Sequence, residues 1–270
     1  MLKPGLNHCS NAEYHADRSY LSSSVLKTVL KSLDEYKKQY IDGETKAFGN
    51  RNALDVGSLV HSLILEPETV ASSYNFFSGF RKAGKEFESF VAFLPEDRAS
   101  LPIISMPQKV QADTLVAAYR RNAAAVKLMQ NVECEQTIVG ELFGVPIKVR
   151  FDAIDVANGR ILDVKTTGYS ADADSFKQTM KDLSYPLSGA LYCAMAEAYY
   201  NKPFTFYYIV LSKQQPEECR VYKTSEATAA AGLRLVQTAC QKFLKAKATN
   251  NWTEPMKAAK LEANTAIEEV

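Results

Sequence analysis

The chain has 270 residues, of which 46% are hydrophobic and 23% are charged, ordinary values for a globular protein with a large core. Its formal net charge of +1 excludes a uniformly basic nucleic-acid-binding surface, so any basic site must be local. We expect no membrane contact, because the sequence has neither a long apolar run nor an N-terminal secretory signal. Five scattered cysteines without a C-x-x-C pair predict free thiols and a cytoplasmic location.

The first half of the chain is predicted to be mainly helical. A polar, turn-like segment over residues 1–20 precedes the first stretch with apolar residues at helical spacing. Residues 71–107 are predicted to be irregular. The predicted helices span 20–43, 53–68 and 108–130. These elements form the helical wall, residues 1–130, of a domain that comprises residues 1–270.

The second half is predicted to be an α/β core over residues 131–250, followed by a peripheral tail over 251–270. Apolar alternation and β-branched residues predict five strands, and amphipathic stretches predict two helical regions. The strands span 135–140, 145–156, 160–167, 204–211 and 219–223, and the helical regions span 173–200, interrupted near Tyr185-Pro186, and 225–248. The order of these elements is β-β-β-α-β-β-α.

The stretch "VRFDAIDVANGRILDVKTT" (Val149–Thr167) joins two of these strands through an Asn-Gly pair. Asn-Gly between apolar runs is the strongest short-range signal for a β-hairpin. We therefore predict a two-residue turn at Asn158-Gly159, in which Ala157 faces Arg160.

This register predicts a cluster of charged side chains on one face of the sheet. Asp152 would lie opposite Lys165 and Ile154 opposite Asp163, with Arg150 further along the face that the aspartates and the lysine share. Two carboxylates suit Mg²⁺, and a lysine can stabilise the transition state of phosphodiester hydrolysis. An Asp-x-Lys motif alone, however, fits a surface hairpin with one ion pair more often than it fits a nuclease.

Five segments in order resemble the PD-(D/E)XK nuclease superfamily, and within it the exonuclease VIII (RecE-type) and RecB-like phage exonucleases. The segments are "YHADRSYLSSSVLKTVLKS", "GSLVHSLILEPE", "RKAGKEF", "VRFDAIDVANGRILDVKTT" and "YPLSGALY". The resemblance implies an α/β fold with a restriction-endonuclease-like core, in which helices flank a mixed β-sheet. It also implies that the N-terminal helical portion forms one wall of a cleft.

The resemblance implies a catalytic and metal-binding set drawn from both strands of the hairpin and from two flanking segments. Lys165 would be the catalytic lysine, and Glu135, or Glu133 in its place, would match an acidic position before the first strand. The implied metal ligands are Asp152, Asp163 and the carbonyl of Val164, with His61 near the metal. A surface glutamate and a histidine of the helical core are the alternatives for Glu135 and His61.

The resemblance also implies contacts with DNA. Arg150 and Tyr192 would contact DNA, together with Ser188, which stands where the family usually has glutamine. Arg81 and Lys82 lie in a basic-aromatic segment that suits either phosphate binding or a solvated loop anchored by its aromatic residues.

The implied activity is that of a Mg²⁺-dependent exonuclease that degrades linear double-stranded DNA from 5′ to 3′ in phage-type recombination. Mn²⁺ is expected to replace Mg²⁺ in this activity. The implied partners are a single-strand annealing protein and other copies of the chain in a ring-shaped homo-oligomer, in a bacterial host cell if the protein is phage-encoded. One alternative is a catalytically weak or inert protein of this fold that binds DNA ends or a partner protein. Another is an endonuclease or single-strand-specific nuclease on the same core.

Overall fold

The computed structural model describes residues 1–44 and 51–253, so the predicted tail beyond residue 253 lies outside the described residues. The helices are α1 (Asn11–Ala16), α2 (Ser23–Lys31), α3 (Leu33–Tyr36), α4 (Arg51–Leu65), α5 (Val70–Ser73), α6 (Lys85–Ala92), α7 (Met106–Arg121), α8 (Ala123–Leu128), α9 (Ala173–Asp182), α10 (Tyr185–Tyr200) and α11 (Glu226–Thr249). The strands are β1 (Gly5–Asn7), β2 (Asn75–Phe77), β3 (Ile103–Ser105), β4 (Glu133–Cys134), β5 (Thr137–Leu142), β6 (Val145–Arg150), β7 (Ala153–Asp155), β8 (Arg160–Thr167), β9 (Thr205–Ser212) and β10 (Cys219–Lys223).

The central sheet has five strands in the order β10-β9-β8-β7-β4. Strands β8 and β9 are parallel, and the other pairs are antiparallel, so the sheet is mixed. A second antiparallel sheet has the order β1-β5-β6. Apolar side chains of α2, α10 and α11 cover one face of the central sheet, and those of α4 and α7 cover the other. The predicted fold class, a mixed sheet flanked by helices, is confirmed.

Alternation along β8 divides the core into two layers. Ile161 packs in the layer of α10 and α11, whereas Leu162 and Val164 pack in the layer of α4 and α7. Asp163 and Lys165 follow Ile161 at the same two-residue period, so they face the layer of α10 and α11. Strand β9 is buried along most of its length, as predicted for a central strand.

The strands β4 to β7 form one long, bent hairpin. Glu133 pairs with Ile154 and Thr137 pairs with Arg150, so the same register holds on both sides of the bend. At the bend Glu135 has a φ of +56°, and its N–H donates to the carbonyl of Asp152 at 3.1 Å. The predicted single strand over 145–156 is therefore divided into β6 and β7. The bend sets Glu135 opposite Asp152.

The tight turn of this region lies at Phe143-Gly144, which joins β5 to β6. Both residues have positive φ angles, 52° and 75°, as a two-residue type I′ turn requires. The predicted two-residue turn at Asn158-Gly159 is wrong, because Asp155 pairs with Arg160 and leaves residues 156–159 in the turn.

The Asp155 side chain explains the longer turn. Its carboxylate accepts hydrogen bonds from the backbone N–H of Asn158 at 2.9 Å and from Nε of Arg160 at 3.0 Å. A buried side chain therefore closes the turn. The pairing of β7 with β8 is shifted by two residues from the predicted register. Ile154 pairs with Ile161 and not with Asp163. A shift by an even number preserves which residues share a face.

Several other predicted boundaries also differ from the structure. The segment over residues 1–20 contains β1 and α1 and is not only turns. The helix predicted over 108–130 is divided at Asn122, whose side chain caps α8 by accepting from the N–H of Ala125. Residues 71–107 contain α6 and the parallel pair β2 and β3. Trp252, predicted in a peripheral tail, is buried.

The interruption predicted near Tyr185-Pro186 is confirmed by the break between α9 and α10. Within the described part of the chain, every helix is too short or too polar to cross a bilayer.

The buried Asp155 predicts an acid-dependent contribution to stability. Burial opposes ionisation, but hydrogen bonds from Asn158 and the charge of Arg160 outweigh it and lower the pKa of Asp155. A depressed pKa stabilises the folded state above the unfolded value of about 3.9, and this contribution is lost as the pH falls further. We expect Asp155→Asn to lower the free energy of unfolding by about 1–3 kcal/mol at pH 7.

Urea unfolding of wild type and Asp155→Asn, at neutral pH and again below the unfolded pKa of aspartate, measures this effect. The difference between the two proteins should shrink at the lower pH. Asp97→Asn, at an exposed position, serves as the control. A difference that is independent of pH would contradict the role given to the ionised carboxylate.

Candidate active site

A cleft of about 740 Å³ opens between α1, α4 and the C-terminal half of β8. Six residues of the predicted site line it: His61, Glu135, Arg150, Asp152, Lys165 and Tyr192. These residues come from four helices and strands and from the bend of the long hairpin. The fold therefore brings together side chains that lie more than 100 residues apart in the sequence.

Asp163 and Lys165 form a buried ion pair on β8. Nζ of Lys165 lies 2.5 Å from Oδ2 of Asp163, and the aspartate side chain is only 8% exposed. Oδ2 is buried and accepts no well-directed hydrogen bond from the described residues, so the lysine provides a charge contact. Asp152 approaches from the bend, where its Oδ2 accepts from the N–H of Val164 at 2.8 Å. The predicted grouping of the two aspartates and the lysine is therefore present.

The protonation of this group follows from its surroundings. Burial raises the pKa of Asp163, the charge of Lys165 opposes this, and Asp152 raises the pKa further. Burial disfavours the charged form of Lys165, but Asp163 and Asp152 outweigh it and raise the pKa of the lysine. Lys165 is therefore an ammonium ion near neutral pH, which can donate hydrogen bonds but cannot accept a proton.

Glu135 and Arg150 pair across the bent hairpin. Nε of Arg150 contacts Oε2 of Glu135, and the guanidinium also donates to the carbonyl of Cys9 at 3.3 Å. Burial and the charge of Asp152 raise the pKa of Glu135, whereas Arg150 lowers it. Both side chains line the cleft. The predicted DNA contact of Arg150 remains a prediction.

The close approach of α4 to β8 places His61 beside Asp152. A Cβ atom at Gly57 would lie 3.1 Å from Oγ1 of Thr166, so the missing side chain allows this approach. His61 follows Gly57 by one helical turn and thus lies on the same face. Its Nδ1 is 3.5 Å from Oδ2 of Asp152.

Three residues predicted to contact DNA do not line the cleft. Ser188 lies on α10, one turn before Tyr192, and is partly buried. Arg81 is exposed. Nζ of Lys82 lies 2.7 Å from Oδ2 of Asp55 and 2.8 Å from the carbonyl of Ile103, so this side chain holds its loop to α4 and β3.

The aromatic residues around the predicted basic segment mostly anchor that loop. Phe87 and Phe90 pack on Phe77 with ring centroids 5.3 and 5.1 Å apart, whereas Phe80 is exposed.

The N-terminal arm, residues 1–20, belongs to the predicted wall over residues 1–130 and supplies cleft residues that sequence analysis did not name. Tyr14 and His15 line the cleft. Nζ of the buried Lys148 donates to the carbonyls of Tyr14 and Asp17, and its ammonium lies 4.6 Å from the centre of the Tyr14 ring. Lys148 and Arg150 lie on the same face of β6. These two basic residues at a spacing of two were the sequence feature that could have indicated contacts with the arm.

Sequence analysis did not name Lys27, which lies near Lys165, or Lys213, which lines the cleft. Nζ of Lys27 is 5.3 Å from the centre of the Tyr185 ring, and Nζ of Lys165 is 5.6 Å from the same centre. Burial, aided by the charge of Lys165, lowers the pKa of Lys27 to about 8. Lys213 lines the cleft at the end of β9, and burial lowers its pKa. Lys27 lies in the segment Tyr14–Ser32 that carries part of the family resemblance, whereas Lys213 stands in no recognisable local motif.

The carboxylates of the site fit a hydrated magnesium ion. Mg²⁺ is usually held through one or two carboxylates while it keeps several waters. The buried Oδ2 of Asp163, without a well-directed hydrogen bond, is a suitable donor, and Asp152 lies beside it. Among residues 1–44 and 51–253, no three His, Cys, Asp or Glu side chains form a ready-made metal cage.

A mixed sheet with an Asp-x-Lys strand and a further aspartate at a hairpin bend defines a nuclease-like protein of the PD-(D/E)XK class. Residues 22–265 match a family described as a PDDEXK-like domain of unknown function (DUF3799). The chain belongs to this family, which confirms the predicted superfamily. A comparison with curated proteins found no significant match.

A solved crystal structure shows the same fold. The crystal structure of a protein from Eubacterium rectale, described as a "putative exonuclease", is 18% identical, with a TM-score of 0.66. The similarity covers 98% of this chain and 96% of that chain. The structure of SSO0001 is 13% identical over 81% of this chain and 84% of that chain, and its TM-score of 0.32 is too low to indicate a common fold.

The close contact between α4 and β8 predicts that a large side chain at Gly57 destabilises the protein. Gly57→Ala should be nearly neutral, because a gain of about 1 kcal/mol in helix propensity offsets a tight contact. Gly57→Leu should lower the free energy of unfolding by about 1–3 kcal/mol, because it overpacks the interface. Denaturant unfolding measures both changes.

Gly168→Leu is the matched control, because nothing lies within 4 Å of a Cβ atom at Gly168. Equal stability of Gly57→Leu and wild type would show that α4 can move away from β8 at no cost.

Proposed function

We propose that this protein is a metal-dependent nuclease that hydrolyses phosphodiester bonds of DNA. The observation that carries the proposal is the buried Asp163–Lys165 pair, whose lysine lines an open cleft together with Asp152. Burying an ion pair costs stability relative to apolar residues of similar size, so its presence in a cleft favours a catalytic role.

In this proposal each side chain has a defined task. Asp152 and Asp163 hold Mg²⁺, with Mn²⁺ as a substitute, and the ion when bound polarises the phosphate and lowers the pKa of a water. Lys165, charged because its pKa is raised, stabilises negative charge that develops on the phosphate. Glu135 holds Arg150 at the wall of the cleft, where the guanidinium can contact a phosphate. His61 lies beside Asp152 and restricts that carboxylate.

We further propose that the substrate is linear double-stranded DNA and that degradation runs from 5′ to 3′. The support is the resemblance of five ordered segments to exonuclease VIII-type and RecB-like phage exonucleases. A role in phage-type recombination, an annealing protein as partner and a ring-shaped homo-oligomer belong to the same proposal. The five unpaired cysteines suit the reducing cytoplasm in which such a protein would act.

Substitutions of the ion pair test the chemistry. Asp163→Ala should abolish Mg²⁺-dependent cleavage, because it removes a metal ligand. Lys165→Ala should reduce the cleavage rate by about 10²–10³-fold while DNA binding persists, because a charge that stabilises the transition state is lost. Gel assays of cleavage and anisotropy assays of binding measure the two effects.

The exposed pair Lys177–Asp174 on α9 provides matched controls, since Asp174→Ala and Lys177→Ala remove the same side chains outside the cleft. Wild-type cleavage by Asp163→Ala or Lys165→Ala would contradict the assigned roles.

Digestion of an end-labelled linear duplex beside a covalently closed circle tests the proposed specificity. We expect loss of the linear duplex alone, with Mg²⁺ but not with EDTA, and release of the 5′ label first. Cleavage of the circle would indicate an endonuclease. Binding without cleavage of either DNA would indicate an inert protein, for which Ser188 in place of the family glutamine would be the first residue to examine.

A further inference from the structure

Two ammonium groups approach the aromatic ring of Tyr185. Nζ of Lys27 lies 5.3 Å from the centre of this ring, and Nζ of Lys165 lies 5.6 Å from it. The face of the ring attracts each of them, but two like charges at one ring repel each other. The charge of Lys165 accordingly lowers the pKa of Lys27, whereas the charge of Asp163 raises it. Lys27 is therefore coupled electrostatically to both members of the buried ion pair.

The Tyr185 ring is held in place by its other neighbours. It stacks on the ring of Tyr208, with centroids 5.9 Å apart and an interplanar angle of 19°, and it packs against Phe176 with centroids 6.2 Å apart. The hydroxyl of Tyr208 donates to the carbonyl of Tyr185 at 3.1 Å. Tyr208 also pairs with Asp163 across β9 and β8, which ties the ring to the strand that carries the ion pair.

Lys27 is presented by a helix that is firmly packed in the core. Its neighbours Leu26 and Val29 on α2 are fully buried. Lys27 itself is half-buried, and among the described residues no carboxylate forms an ion pair with it. A half-buried ammonium group without an ion-pair partner costs more stability than an apolar side chain would at the same position, which favours a functional role.

The same face of α2 reaches the edge of the cleft. Ser23 and Lys27 are one helical turn apart and face the same way. Ser23 contacts the side chain of Tyr192, which lines the cleft, and Lys27 contacts Tyr185 on the same helix, α10. Lys27 is not among the described residues that line the cleft, so it lies behind the residues that a substrate would meet.

Lys165 has two favourable contacts, the carboxylate of Asp163 and the ring of Tyr185. In the proposed reaction Asp163 also holds Mg²⁺, and a bound ion competes with the ammonium group for the same carboxylate. The ring would then attract Lys165 away from the cleft, since Tyr185 is not among the described cleft residues either. A second cation at the ring opposes this retreat.

We propose that Lys27 is a positioning residue for the nuclease reaction: its ammonium group limits the approach of Lys165 to the Tyr185 ring and keeps Lys165 directed to the cleft. This role rests on the proposed nuclease function and deepens it. Lys27 acts through Lys165 and has no contact with DNA.

Removal of the charge at position 27 tests this role by separating kcat from KM. At pH 7 Lys27 is charged, because its pKa is about 8. In the Mg²⁺-dependent cleavage of a linear duplex, Lys27→Met should lower kcat by about 10-fold, because a small displacement of a catalytic group slows the reaction. KM, and the Kd for the same duplex in EDTA, should keep their wild-type values. Lys27→Arg should retain most of kcat, because it keeps the charge.

A double-mutant cycle tests whether Lys27 acts through Lys165. In a Lys165→Ala background, Lys27→Met should have no further effect on the residual cleavage rate. Lys31→Met is the matched control, because Lys31 lies one turn further along α2 and its side chain is 73% exposed. Thermal melting of Lys27→Met should show no loss of stability, because the change replaces a half-buried charge by an apolar side chain.

The other outcomes would overturn the role of Lys27. A wild-type kcat for Lys27→Met would do so, as would an equal loss of rate with and without Lys165. A loss of kcat together with a lower melting temperature would assign Lys27 to the structure, and a raised Kd would assign it to DNA binding. The nuclease proposal would survive each of these results. A wild type that does not cut DNA would remove both proposals.

Discussion

The ion pair of Asp163 and Lys165 on β8 is the interaction on which the site depends. A carboxylate buried away from water is tolerated only when a charge or a hydrogen bond compensates it. The largest compensation comes from the ammonium group of Lys165, whose own charge the aspartates stabilise. Because Asp163 pairs with Tyr208 and Lys165 pairs with Val210 of β9, the backbone of neither residue can move without breaking strand pairing. The sheet thus fixes the distance between a carboxylate and a cation.

The surrounding walls are held in place by side chains outside the Asp152, Asp163 and Lys165 group. Lys148 and Arg150 reach from β6 to carbonyls of the N-terminal arm and hold it against the second sheet. Gly57 lets α4 approach β8, and Lys82 holds a loop to α4 through Asp55. A cleft with firmly held walls keeps its donors in place before a substrate arrives, which reduces the reorganisation that catalysis requires.

The candidate site was largely predictable because its two aspartates and its lysine depend on strand periodicity. Side chains alternate with a period of two, so a register error of two residues left Asp152, Asp163 and Lys165 on one face. The turn itself was predicted wrongly. Asn158-Gly159 favours a two-residue hairpin, but the side chain of Asp155 offers buried hydrogen bonds that close a longer turn. A local turn propensity of this kind is overridden when a tertiary contact stabilises another turn by a larger free energy.

The sequence by itself determined the fold class, the strand that carries Asp163 and Lys165, and the helix that carries His61, because local periodicity and ordered motifs encode them. Only the tertiary structure decided that Tyr14 and His15 of the N-terminal arm line the cleft, that Lys27 shares the Tyr185 ring with Lys165, and that Lys213 lines the same cleft. These placements depend on contacts between residues far apart in the chain, and local spacing carries no information about them.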